Sequence, residues 1–160
     1  MRADTIKGPK ITLLNLETDE LFEVPIRPDA LTEQVEVGYS RGQIIGLTHQ
    51  PLQYVNTGNR KLPSIAFNVD QHFAGEDEDI MQLRHFLMAA TVEEDGAGGP
   101  ARITFVWPGV ITFTGVITNL SVTHERFGDE GGVTGYTATV SVEEWVPTRR
   151  TAGLYRRGVH

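Results

Sequence analysis

The side chains best suited to chemistry are gathered at Asp70, His72, Glu76, Asp77, Glu78 and Asp79, the one dense group of hard ligands in the chain. Such a group could hold a divalent cation, but it lacks the Asp-x-Asp-x-Asp-Gly spacing that wraps a calcium ion. Its carboxylates stand directly before an apolar stretch of helical period, where negative charge suits the positive end of a helix dipole. That use is the simpler one, and no metal is expected. His49, His72, His85, His124 and His160 are scattered without the His-x-x-x-His spacing of a metal pair and are expected at the surface or in interfaces. No Gly-x-Ser-x-Gly turn is expected to present a nucleophilic serine. Residues 96–99 (GAGG) are glycine-rich but are not followed by the Lys-Ser/Thr of a phosphate loop. Glu143 and Glu144 are adjacent on a strand and so point to opposite faces, which prevents them from sharing acid–base work. No catalytic constellation or cofactor site emerges.

Composition narrows the classes further. At 160 residues and 17.7 kDa the chain suits one domain with a core that needs neither disulfide nor metal. A hydrophobic fraction of 39% with 22% charged residues describes a globular protein, not a disordered one. The net charge of −7 argues against nucleic acid as a surface-wide partner, because phosphate binding needs clustered cations. With no cysteine, disulfides, thiolate metal sites and cysteine nucleophiles are excluded. No run approaches the roughly 18 to 20 apolar residues of a membrane helix. The opening MRADTIKGPK has no apolar core of a secretory signal. Work outside the cytoplasm would therefore require travel as part of an assembly.

The elements that must position these side chains are organised around residues 100–146. This stretch reads as three strands joined by a tight turn at Pro108-Gly109 and a longer loop at 127–132. Ile103, Phe105 and Trp107 share one face of the first strand, and Tyr136, Ala138, Val140 and Val142 one face of the last, the two-residue period of a half-buried sheet. The other face of the last strand, Thr137, Thr139, Ser141 and Glu143, is expected to meet water or a neighbouring subunit. In the middle strand, about 110–124, the apolar positions Ile111, Phe113 and Ile117 give way to Leu120 and Val122, so parity changes near Thr118-Asn119. A bulge there keeps both halves facing the core. Gly115 weakens the strand unless a bend or a close backbone approach needs it.

Upstream, residues 10–16 (KITLLNL) and 20–26 (ELFEVPI) are spaced as a hairpin, ended by Pro25 and Pro28. Residues 62–73 (LPSIAFNVDQHF) alternate strictly, which predicts a strand with Ile65, Phe67, Val69 and Phe73 on one face. Residues 80–91 carry a helical stripe of Ile80, Leu83, Leu87 and Ala90 with Phe86 beside it. Between these lies an excursion, 27–59, in which Leu31, Val35 and Val37 could begin a strand but Gly38, Gly42 and Gly46 break continuity. About thirty residues without period are unusual in a compact domain unless they have a function. Ile44, Ile45, Leu47, Leu52, Tyr54 and Val55 supply apolar side chains either for a neighbouring subunit or for a loop folded over its own core. The tail, 147–160, sets Arg149, Arg150, Arg156 and Arg157 around a Leu154-Tyr155 pair. A basic tail on an acidic chain either docks on an acidic face of a partner or is a solvated extension.

The short helix with LRHFL (83–87), a Gly/Pro loop, and then ARITFVWPGVITFTGVITNLSVTHERFGDEGGVTGYTATVSVEEW resemble the tube-protein domain of phage tails and contractile injection systems. The matching residues are Phe105, Trp107, Gly109, Phe113, Gly115, Val116, Phe127, Gly128 and the closing Glu143-Glu144-Trp145. Pro108 interrupts the Trp-Gly that the family more often has. The resemblance implies a mainly β fold, a small sandwich or split barrel of the tail-tube type, with one flanking helix and domain bounds of 1–146. It further implies a structural, non-enzymatic role in hexameric rings whose sheets join edge to edge into an inner barrel, with the hairpin of strands 110–124 and 133–146 as candidate lining. DNA can pass through such a lumen without sequence-specific contact. The implied setting is a phage tail or baseplate assembled in the bacterial cytoplasm. Some hub-adaptor members end in a peptidoglycan-binding LysM module, for which the residues after Trp145 leave no room.

The expected function is therefore a ring that joins the tail tube to the baseplate hub, with the major tube subunit as the alternative. Expected contact residues are Ile44, Ile45, Leu47, Leu52 and Tyr54 on the excursion, and Arg149, Arg150, Leu154, Tyr155, Arg156 and Arg157 on the tail. A reading of another class is a carbohydrate- or peptide-binding β-sandwich that stacks its ligand on Trp107, Tyr54 and Tyr136. A small hydrolase is a third, for which the sequence nominates no pocket.

Overall fold

The structure, a computed structural model, describes residues 10–24, 27–74, 79–93 and 98–145, with the side chains of Phe73 and Ala74 excepted. Its elements in chain order are β1 (Ile11–Asn15), β2 (Leu21–Val24), β3 (Val37–Arg41), β4 (Leu52–Thr57), β5 (Lys61–Asp70), α1 (Gln71–Ala74), α2 (Met81–Ala89), β6 (Ile103–Trp107), β7 (Ile111–Phe127) and β8 (Val133–Glu144). Six strands form one antiparallel sheet in the order β2-β1-β6-β7-β8-β5, and β3 pairs with β4 in a separate hairpin. The expected mainly β fold with one flanking helix is what is observed; its strands do not close into a barrel.

Each turn has a local cause. Asn15, buried at the end of β1, accepts hydrogen bonds at Oδ1 from the amides of Glu17 and Thr18 at 3.0 and 3.2 Å, and Asp19 adopts φ 57°. An Asn side chain that substitutes for a backbone acceptor, followed by an Asp tolerant of the left-handed region, builds the β1–β2 turn. Between β6 and β7 the Val110 amide donates to the Trp107 carbonyl at 2.9 Å, and Gly109 sits at φ 78°. Proline at the second position and a positive-φ glycine at the third are the signature of a type II turn. The proline that departs from the family pattern is therefore the residue this turn favours.

The long β7 serves both halves of the sheet by a bulge. Its register against β8 shifts between Ile117 and Asn119, and the Thr118 hydroxyl donates to the Ser141 carbonyl at 3.2 Å. Ile111, Phe113 and Ile117 before the bulge and Leu120 and Val122 after it consequently face the same side. Gly115 lies under the β8 backbone: a methyl group there would stand 2.2 Å from the Glu143 carbonyl oxygen. Both features match what the parity change and the mid-strand glycine predict.

The core lies between the inner face of this sheet and α2. Leu62, Ile65, Phe67 and Val69 of β5 meet Phe113 of β7 and Tyr136, Ala138, Val140 and Val142 of β8, while Leu83, Phe86 and Leu87 close it from the helix. Phe22 of β2 stacks on Phe86 at 5.7 Å between ring centroids, which ties the far edge of the sheet to the helix. One strand boundary corrects the sequence reading. The run predicted over 62–73 stops at Asp70, whose Oδ1 accepts the His72 amide at 2.9 Å, and Phe73 falls in the helical turn α1 instead of the strand face. A local Asx hydrogen bond competes with the ladder and wins where the strand's apolar neighbours end.

Candidate assembly interface

The excursion is not structureless. β3 and β4 pair in register from Val37 opposite Thr57 to Arg41 opposite Leu52, with a shift between Gly38 and Tyr39. Tyr39 and Tyr54 meet edge to face at 6.2 Å, and the Tyr54 hydroxyl shares a 2.9 Å hydrogen bond with that of Thr57. The hairpin's base is fixed where the Gly58 amide donates to the Glu36 carbonyl and where Gln34 and Lys61 exchange two backbone bonds, each at 2.8 Å. At the tip Gly46 takes φ 92° to turn the chain after Ile45.

This arm satisfies its backbone but not its side chains. Every residue of β4 is exposed, as are Val37, Tyr39, Ile44, Leu47, Leu52, Tyr54 and Val55, and Ile45 at the tip is fully exposed at 104%. A hairpin with one face on its own core would alternate between buried and exposed positions; this one does not. Burying a large apolar side chain is worth about 1.5 to 3 kcal/mol, so a contiguous set left in water is the usual mark of an interaction surface. The structure thus gathers the predicted residues Ile44, Ile45, Leu47, Leu52 and Tyr54 on one arm and adds Val37 and Tyr39. The Val37-x-Tyr39 alternation was the available signal, hidden by the breaker glycines on either side of Tyr39. The tail residues Arg149, Arg150, Leu154, Tyr155, Arg156 and Arg157 lie outside the described residues.

The arm returns to the sheet beside the point where β8 leaves it. The Glu144 amide donates to the Arg60 carbonyl at 2.8 Å, and the Arg60 guanidinium meets the Glu144 carboxylate at 3.4 Å, with both side chains largely buried. The same guanidinium lies 4.9 Å from the centroid of the Phe113 ring. At the other end of these strands Arg126 of β7 pairs with Asp70 of β5 across β8. The outward face between these anchors is built of short polar side chains, including Asn68, Asn119, Ser121, Thr123, Thr137, Thr139 and Ser141.

Tyr136 shows why the aromatic-groove reading does not fit. Its ring is fully buried and its hydroxyl donates to the Ile80 carbonyl. Burial pushes the phenol from 10.0 up to about 12; the backbone of Arg84 and its charge act the other way, and Asp79 adds to the rise. Trp107 packs on the core and Tyr54 stands on the arm, so the three rings share no groove. The serine motif needs a correction as well. Gly38-Tyr39-Ser40-Arg41-Gly42 does carry Gly-x-Ser-x-Gly spacing, but it runs through β3 as extended strand, not through the strand-to-helix turn that exposes a nucleophile. In the acidic group, Asp79 accepts the Met81 amide at 3.0 Å and Asp70 is held by His72 and Arg126, while residues 76–78 lie outside the described residues. Among the described residues no helix is long and apolar enough to cross a membrane.

Comparison with known proteins agrees with the geometry. No curated protein matches the sequence. Residues 5–151 match the family described as contractile injection system tube protein, a span that takes in the sheet, the helix and the arm. The chain belongs to the tube proteins of contractile injection systems.

Proposed function

We propose that this tube protein forms a closed ring, six copies in the reading drawn from the family, at the junction of the tail tube and the baseplate hub. The observation that carries the assembly role is the β3–β4 arm, hydrogen-bonded within itself yet exposed, with Tyr39, Ile44, Ile45, Leu47, Leu52, Tyr54 and Val55 left in water. A second copy of the chain is the partner that would bury it. The junction position is supported by charge. Four arginines fall within residues 147–160 of a chain whose net charge is −7, which equips one end for a partner unlike itself. The role is structural, and the particle would be a phage tail or related machine assembled in the bacterial cytoplasm.

The test is light scattering and electron microscopy of the purified chain, alone and then with its hub and tube neighbours. Single rings that join both neighbours are expected. Rings that stack without limit when alone would transfer the chain to the alternative role of major tube subunit. A monomer that joins no partner would overturn the reading.

A further inference from the structure

The outward face of the six-stranded sheet is not uniform. Over β8 and the far half of β7 it is built of short polar side chains, but over β2, β1, β6 and the near end of β7 its character changes. The registers set Leu21 opposite Leu14, Leu14 opposite Thr104 and Thr104 opposite Thr114, and the Trp145 amide donates to the Thr114 carbonyl at 3.0 Å. Leu21, Leu14, Thr104, Thr114 and Trp145 thus make one row straight across the strands. The two threonine hydroxyls share a 3.0 Å hydrogen bond, so the middle of the row is less polar than its composition suggests. Val106 and Val116 flank the row, and none of these side chains belongs to the core. Leu21 is 60% and Trp145 50% exposed, which leaves the row open at both ends.

We infer that this row seats the chain's own C-terminal segment, residues 146–160, laid across the strands from Trp145 toward β2 with Leu154 and Tyr155 against Leu14 and Leu21. That segment lies outside the described residues, and three observations point to it as the occupant. The described chain stops at Trp145 on the row itself, and because Glu144 turns inward to Arg60, Trp145 faces outward. The reach is sufficient: the row spans four strand spacings, roughly 19 Å, whereas the nine residues from Trp145 to Leu154 extend to about 30 Å. The charges are complementary. Glu17, Asp19, Glu20, Glu23 and Glu143 border the row against the cations Lys10 and Arg102, and the segment brings Arg149, Arg150, Arg156 and Arg157.

The tether selects the same copy over another. A short flexible connection holds its segment over the row at roughly millimolar effective concentration, ahead of a second molecule at ordinary protein concentration. The inference is independent of the ring reading and adds to the junction reading. Adjacent side chains of an extended strap point to opposite sides, so one arginine of each pair can meet the face while the other stays available to a partner. Seating the strap then fixes where those outward arginines stand.

The full chain has no cysteine, so disulfide trapping is direct. Leu21→Cys is combined in turn with Ala152→Cys, Gly153→Cys or Gly158→Cys, oxidised at high dilution and run under denaturing, non-reducing conditions. Thr139→Cys replaces Leu21→Cys as the control. It lies on the same outward face, six residues back along β8 from Trp145 and roughly 20 Å away at the rise of a strand, as far as Leu21 but off the row. A free tail reaches both sites alike, whereas a seated one favours Leu21 by on the order of tenfold, the bias that one buried apolar side chain supplies. A linked monomer at Leu21 is expected, with its excess over Thr139 abolished by Leu154→Ser combined with Tyr155→Ser. Equal yields at the two sites, or no link at Leu21, would overturn the inference. Linked dimers or longer ladders at Leu21 would give the row to another copy's tail and overturn it as well. Ring formation, scored separately by light scattering, stands or falls apart from each of these outcomes.

Discussion

The β7–β8 hairpin and the β3–β4 hairpin are made by the same backbone rules and have opposite fates. In β7–β8 the ladder runs from Gly115 to Phe127 with a bulge at Thr118, and one face is core: Phe113, Tyr136, Ala138, Val140 and Val142 are buried. In β3–β4 the ladder runs the length of both strands with one shift at Gly38 and nothing is buried, although Tyr39, Tyr54, Leu52 and Val55 are as apolar or aromatic as their counterparts. Hydrogen bonding shapes a hairpin; burial decides which molecule it belongs to. The first hairpin stabilises its own chain, and the second is available to another.

Substitutions can break that contrast from either side. The largest loss is expected from Phe113→Ala, which empties a fully buried ring site and removes the surface under Arg60; about 3 to 5 kcal/mol is the usual cost of such a change, read as a fall in thermal midpoint of the isolated chain. Next comes Gly115→Ala, whose methyl would collide with the Glu143 backbone. Overpacking of this kind costs about 1 to 3 kcal/mol, and denaturant titration would show it. If Gly115→Ala melts like the parent, the close crossing of β7 and β8 is not there.

Tyr136 gives a pH-dependent version. Its pKa is raised from 10.0 to about 12, so the folded state holds its proton more tightly than the unfolded chain. The stability this contributes is fully present below pH 10 and is lost as pH rises toward 12, on the order of 2 kcal/mol. Tyr136→Phe should lower stability at neutral pH by about 1 kcal/mol through the lost hydrogen bond and flatten the decline between pH 10 and 12. An unchanged alkaline decline in that variant would count against the buried phenol. The smallest effect on folding is expected on the arm: Ile45→Ser with Leu52→Ser should leave the monomer's stability within about 0.5 kcal/mol yet reduce assembly in light scattering. A matching loss of monomer stability would show that the arm serves its own chain after all.

Much of the body was legible because its residues obey a single period. The alternation at Ile65, Phe67 and Val69, the parity change at Thr118 and the glycine at 115 each translate into one geometric statement, and the structure contains all three. The arm was not legible as a hairpin. Gly38, Gly42 and Gly46 read as breakers, and in strands exposed on both faces the short Val37-x-Tyr39 alternation is too brief to outweigh them. The end of β5 was missed because Asp70 makes its own turn with His72, a choice that apolar spacing at Phe73 cannot reveal.

The bulge at Thr118 also constrains how this gene can drift. From Asn119 to His124 β7 keeps a strict two-residue phase against β8, so a single codon inserted or deleted there would turn the side chains that follow, up to the next irregularity after His124, from one face to the other. Length changes between these points are then expected in pairs among its relatives, with single-residue changes confined to the bulge at Thr118 and to the irregular stretch after His124, where the pairing is already out of phase.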